Sequence, residues 1–308
     1  MSVIKKEAYF ISSTGINKIR TCIWQKEDTE YKGVFQIAHG VSEHIDRYDE
    51  FARFLAEEGY VVCGNDHLGH GKSVDSFEDF GFFAEEDGDN RMIDDMHILY
   101  SIMHKRYPEL PYYLFGHSMG SFCARVYASA FGCELSGLVI CGTGDIPQAM
   151  AVLEEPVKLL CRKLGARATV PASILDKVST IGISGAETPK DWLSCNRENV
   201  MAYINDPLCG NDLKLGGVRD ILSLANTCSS ADWAACLPAE LPVLIISGAK
   251  DPIGLNGKGV IAVCDKLEAA GIEPKVILYP GMRHEILNED EREKVYGDIL
   301  DWLKAVNN

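Results

Sequence analysis

At 308 residues, with 46% hydrophobic and 24% charged residues, the chain has the composition of a soluble globular protein of one large or two small domains. A net charge of −15 argues against binding nucleic acid or docking on anionic lipid surfaces, both of which need basic patches. No apolar run approaches the roughly 20 residues that span a bilayer, so stable membrane insertion is not expected.

The opening Met1-Ser2-Val3-Ile4-Lys5-Lys6-Glu7 has neither the apolar core nor the cleavage site of a signal peptide. Eleven cysteines lie scattered without a C-x-x-C pair, and Cys63, Cys123 and Cys141 sit inside apolar runs. That pattern indicates neither a disulfide framework nor a zinc site, and a cytoplasmic location is expected. Residues 8–12 and 19–25 alternate polar and apolar as a hairpin around Ser13-Thr14-Gly15-Ile16-Asn17. Gly33–Ala38 is a more buried strand that ends in His39-Gly40. Residues 46–58 space Tyr48, Phe51, Phe54 and Leu55 at helical intervals, with Gly59 as the stop. A strand over 60–64, a loop over 65–73 and a helix over 91–106 follow. The apolar run Tyr112-Tyr113-Leu114-Phe115 then breaks into Gly116-His117-Ser118-Met119-Gly120, with a helix beyond.

Strand–helix alternation of this kind predicts an α/β fold with a mostly parallel sheet covered on both faces. It continues with a strand over 135–141 and then stops. From 145 to 224 the pattern is helical: Met150, Leu153, Val157, Leu160, Cys161 and Leu164 form a stripe, and Pro156 marks a kink or boundary. Further helical pieces fall near 190–204 and 218–224. Alternation returns with a strand over 242–248, a helix over 257–270, a strand at Lys275–Tyr279 and a helix over 290–306. The expected organisation is a core of residues 1–144 and 225–308, with a helical cap of residues 145–224 inserted between core strands.

Strand, Gly-x-Ser-x-Gly and helix in succession are the context of a nucleophile elbow, which lifts a serine above the sheet. A serine hydroxyl is a weak nucleophile and needs an adjacent base, itself oriented by a carboxylate. His284 is the one histidine after Ser118, on a loop past the last strand. Two acids fit: Asp251, in a turn after strand 242–248, and Asp145, after the preceding strand. Asp251 is favoured, because Asp145 also reads as the polar entry to the cap. The oxyanion donors are expected to be the N–H groups of Met119 and of Val41, the latter on the loop after the third strand. Gly40 would let that loop close in on a substrate. Gly71-Lys72-Ser73 lacks the glycine a P-loop requires, since Asp66 stands in its place. His67, His70 and Asp66 lack a further ligand at fitting spacing, so no metal and no cofactor are expected.

His39-Gly40-Val41-Ser42-Glu43-His44-Ile45-Asp46-Arg47-Tyr48, Asp66-His67-Leu68-Gly69-His70-Gly71-Lys72-Ser73, Gly116-His117-Ser118-Met119-Gly120 and Asn205-Asp206-Pro207-Leu208 are specific as a set. Together they resemble the monoacylglycerol lipase and lysophospholipase branch of the α/β-hydrolases, in matching order from about residue 9 to 304. The resemblance implies a serine hydrolase acting on a lipid-like ester, with the triad on Ser118, Asp251 and His284 and the oxyanion donors on Val41 and Met119. It places Gly40, Glu43, Arg47 and His117 as substrate-binding residues, Glu43 and Arg47 being a polar pair near the alcohol-side pocket. Two positions depart from the pattern. Ser121 stands where a further glycine is usual, and Leu287 stands where the lipase often has a second histidine, which bears on glycerol recognition. The competing readings are a proline-iminopeptidase-like aminopeptidase on the same fold, with cap carboxylates such as Glu187 or Glu198 holding a free amino terminus, and a non-catalytic ligand-binding protein.

Overall fold

The computed structural model describes residues 2–145, 152–179, 183, 185–230 and 232–307. Eight strands form one sheet in the order β1 (Val3–Ile11), β2 (Lys18–Lys26), β4 (Tyr60–Asn65), β3 (Gly33–Ala38), β5 (Tyr112–His117), β6 (Gly137–Cys141), β9 (Val243–Gly248) and β10 (Lys275–Tyr279). β2 runs antiparallel to both of its neighbours, and every pairing from β4 to β10 is parallel. This is the mostly parallel α/β architecture that strand–helix alternation predicts.

The central strands read as unbroken apolar runs because both faces are covered. Along β3, β5, β6 and β9, Val34, Leu114, Leu138, Ile140 and Ile245 face one core, while Phe35, Phe115, Val139 and Ile246 face the other. The first core is closed by α2 (Gly88–Arg106), α3 (Met119–Phe131), α7 (Leu215–Ser229) and α9 (Lys258–Ala269), through residues such as Met96, Ala124, Leu224 and Val263. The second is closed by α1 (Asp49–Glu57) and α10 (Arg292–Val306), through Phe51, Leu55, Ile299 and Leu303. Cys63, Cys123 and Cys141 are buried in these cores, as small apolar residues would be. β3, β5, β6, β9 and β10 all end at the same sheet edge, so the loops that follow them converge there. That edge is where open α/β sheets place their sites.

Between β6 and β9 lie α4 (Glu154–Leu164), α5 (Ala172–Ser179), α6 (Arg197–Asn205), α7 and the four-residue α8 (Asp232–Ala235). A short antiparallel ribbon, β7 (Thr169–Val170) with β8 (Leu213–Lys214), joins them and had no sequence signal. The boundary expected at residue 224 falls inside α7, a continuous helix that packs on α3 and α2 of the core as well as on α4. Pro156 sits in the first turn of α4, where no intrahelical bond needs its missing N–H, so it starts the helix and does not kink it. The apolar stripe along α4 is not a core face. Leu153, Leu160 and Leu164 are 45%, 42% and 65% exposed, and only Cys161 is buried. Met150 lies outside the described residues.

Candidate active site

β5 ends at His117 and α3 begins at Met119, so Ser118 alone makes the turn, at φ 55° and ψ −121°. A non-glycine residue in that region is strained and persists only where its surroundings fix it. They do. A Cβ at Gly116 would collide with the Gly120 carbonyl, and one at Gly120 with the carbonyls of Ala38 and His39. The two glycines therefore let α3 pack directly on the ends of β3 and β5. Ser118 N–H donates to Cys141 O at 3.0 Å, tying the elbow to β6. Met119 is the first residue of α3, so its N–H has no acceptor within the helix and lies at the positive end of the helix dipole. Ser121 fits without strain: its hydroxyl lies 2.6 Å from Ser118 O and 2.8 Å from Thr143 Oγ1.

The turn after β9 and the loop after β10 bring Asp251 and His284 together. Asp251 Oδ2 lies 2.9 Å from His284 Nδ1, and the two residues are 0% and 1% exposed. The carboxylate is held in place by the Ile253 N–H on Oδ1 at 2.9 Å and by Ser247 Oγ on Oδ2 at 3.3 Å. Because an ionised carboxylate only accepts, Nδ1 carries the proton and Nε2 presents its lone pair. Among the described residues that buried Nε2 has no hydrogen-bond partner, so the bond to Ser118 Oγ is not formed in this structure. Such bonds often tighten only with substrate present. The other acid, Asp145, is taken by Lys266 Nζ at 2.6 Å.

The loop after β3 approaches the elbow closely. A Cβ on Gly40 would lie 3.1 Å from Ser118 Cβ and 2.7 Å from Glu43 Oε1, which places the neighbouring half-buried Val41 at the same edge. His39 anchors the loop as a neutral ring, donating from Nδ1 to Gly40 O at 2.7 Å and accepting the His67 N–H on Nε2 at 2.9 Å. Burial lowers its pKa well below the ordinary value, and the nearby His67 and His70 lower it further. Asp66 serves the same scaffold, accepting the N–H groups of Ile45 and Lys72 and pairing with Arg20.

Glu43 and Arg47, which the resemblance places at the substrate, take part in an internal network. Glu43 accepts from Gly40 N–H at 2.6 Å, Tyr48 O–H at 2.8 Å, His117 Nδ1 at 3.3 Å and Arg47 at 3.0 Å. Burial alone would raise its pKa, but the His117 hydrogen bond and the Arg47 charge hold it well below the usual carboxylate range. His117 donates from its other nitrogen to His284 O at 3.3 Å. Burial would lower the His117 pKa, and the Glu43 carboxylate reverses this to a net rise. Arg47 grips Glu285 through two bonds of 2.5 and 2.7 Å, and Asn199 of α6 bridges the pair. Arg47→Met would leave buried carboxylates without their counter-charge, so it should cost about 3–5 kcal/mol of stability, read from the denaturant midpoint. Arg47→Met with Glu285→Met should recover part of that loss.

The segment between β6 and β9 docks on the same loops. Tyr203 O–H and Gly210 N–H both donate to Ser42 O, at 2.9 and 2.8 Å. His44 Nε2 meets Asp206 Oδ2 at 2.9 Å, which accounts for Asp206 in the Asn-Asp-Pro-Leu motif. With Cys209, these two are the one group of metal-type donors converging among the described residues, and their mutual bond already engages two of the three. Glu187 and Glu198 are exposed, and Glu187 pairs with Arg197. Sequence reasoning missed Asn199, Glu285 and Trp192. Glu285 had one available signal, its position beside His284.

The family model for serine aminopeptidase, S33, matches residues 29–291. A monoacylglycerol lipase of Mycolicibacterium smegmatis is 29% identical over 95% of both chains. The monoglyceride lipase of Homo sapiens is 28% identical over 92% of this chain and 86% of its own. A thermostable carboxyl esterase from Bacillus coagulans, solved in complex with glycerol, superposes with TM-score 0.92 at 31% identity over the full length of both chains. With the elbow and the sheet in place, these likenesses identify the chain as a member of the serine aminopeptidase S33 family of α/β-hydrolases, similar to its monoacylglycerol lipases.

Proposed function

We propose that the protein is a serine hydrolase that cleaves carboxylic esters of the monoacylglycerol or lysophospholipid type. The observation that carries this reading is the buried Asp251–His284 pair at the sheet edge where strained Ser118 stands. In the first half-reaction Ser118 Oγ attacks the ester carbonyl while His284 Nε2 takes its proton. The N–H groups of Met119 and Val41 receive the oxyanion, and Asp251 stabilises the imidazolium. Collapse breaks the bond to the alcohol, which leaves with the proton from His284. Water then repeats the sequence on the acyl-enzyme and releases the carboxylic acid. The helical segment 145–224 serves as a cap that guides the acyl chain. Glu43, Arg47 and His117 act by fixing the loops that carry Val41, Ser118 and His284. The exposed positions of Glu187 and Glu198 lend nothing to an aminopeptidase reading.

Each CH₂ of acyl chain buried in a cap groove contributes roughly 0.8 kcal/mol. For neutral monoesters, kcat/KM should therefore rise about fourfold per CH₂ up to a sharp length limit, where overpacking sets in. The net charge of −15 disfavours anionic head groups, most at low salt. The test is kcat/KM against chain length for neutral monoesters, beside aminoacyl p-nitroanilides. A flat profile with efficient anilide cleavage would sink the ester reading and favour the peptidase.

A further inference from the structure

Trp192 packs against the imidazole of His284. The ring centroids are 5.1 Å apart at 43°, and Trp192 is 5% exposed. It comes from the segment between β6 and β9, far from His284 in sequence, and it is held there by a strap of hydrogen bonds. Glu285 N–H donates to Leu193 O at 2.7 Å, and Arg283 Nη1 to Asp191 O at 2.5 Å. Glu289 accepts the N–H groups of Cys195, Asn196 and Arg283. Two stretches, 191–196 and 283–289, are thus tied together by one backbone bond and by the Arg283 and Glu289 side chains, and the indole is delivered against the histidine. The indole N–H has no hydrogen-bond partner among the described residues, so packing and not a hydrogen bond of its own orients the ring.

The surroundings of His284 explain what an aromatic face contributes. Asp251 meets Nδ1, and Gly142 leaves room at the ring edge, where a Cβ would sit 3.3 Å from Cε1. His117 lies 4.7 Å away with both nitrogens on acceptors, backed by Glu43 and, through Arg47, by Glu285. A positive His117 opposes a second positive ring beside it. When His284 takes a proton, Asp251 offsets that repulsion at one atom, and a π-face within about 6 Å offers further stabilisation that an aliphatic side chain of similar volume lacks.

We propose that Trp192 is a positioning residue for His284, its indole face stabilising the imidazolium formed when the ring takes the Ser118 proton. The proposal rests on the reading of His284 as the general base. Its test is the pH profile of kcat/KM for a neutral p-nitrophenyl ester, measured on the full chain with Trp192→Phe and Trp192→Leu. Trp192→Leu should lower the plateau about 3- to 30-fold and move the acid limb to lower pH by roughly half to one and a half units, with KM little changed. Trp192→Phe keeps a weaker face and should fall between. A lowered plateau with an unmoved limb in both variants, or a Phe variant as damaged as the Leu variant, overturns the proposal. If Trp192→Leu does not fold, the Phe variant decides alone: a measurable shift of its limb to lower pH supports the role, and a superimposed limb removes it. Wild type and His284→Ala run alongside separate the two failures. A wild type without activity that depends on His284 defeats the underlying reading, whereas an active wild type whose limb Trp192 does not move defeats only this inference.

Discussion

Ser118→Ala and His284→Ala should each lower kcat by on the order of 10⁴-fold or more, with the double variant little worse than either. The reason is that neither side chain acts without the other. The hydroxyl cannot lose its proton without the Nε2 lone pair, and the imidazole has nothing to activate without the serine. The structure prepares each half. Ser118 is held at φ 55° by packing that tolerates only glycine two residues to either side, and His284 has its tautomer set by Asp251. Ser118→Ala removes one atom, and in His284→Ala the Asp251 carboxylate loses its Nδ1 partner but keeps the Ile253 N–H and Ser247 Oγ, so both variants should fold, which a denaturant midpoint checks. Independent, multiplicative losses would show that the two residues do not form one catalytic unit.

Asp251→Asn should retain the fold and lose on the order of 10⁴-fold in kcat. An amide can turn its NH₂ toward the Nδ1 of His284, which would leave that nitrogen as the acceptor and put the proton on Nε2, the atom that must be free. The anchoring bond from Ile253 N–H to Oδ1 can persist, since an amide oxygen accepts as well as a carboxylate oxygen does. Asp145→Asn should have far less effect on kcat, because Asp145 pairs with Lys266 of α9. If Asp145→Asn proves the more damaging change, the acid is misassigned.

The parts legible in the sequence were those fixed by local pattern. Buried runs such as Gly33–Ala38 and Tyr112–His117 are strands because both faces are covered, and the elbow is legible because its glycines stand where only hydrogen fits. What was not legible depends on partners distant in the chain. Asp145 and Asp251 look alike as residues after strands, and they are separated by partners distant in the chain, Lys266 for the first and His284 for the second. The resemblance places Glu43 and Arg47 at the substrate, and nothing local shows that Glu285 and Asn199 close on Arg47 from 238 and 152 residues away. The stripe on α4 has helical period, yet period cannot tell which side of a cap helix faces the protein. Leu160 and Leu164 proved exposed. Trp192 carried no pattern at all, since its place follows from bonds that Arg283, Glu285 and Glu289 make to its neighbours.

The most direct test of the serine's role is labelling with a fluorophosphonate, which reacts only with an activated serine, followed by intact-mass and peptide mapping. The expected result is one adduct on Ser118, formed at neutral pH and absent from Ser118→Ala and His284→Ala. An unlabelled protein, an adduct on another serine, or labelling of Ser118 that persists at the same rate in His284→Ala would contradict it.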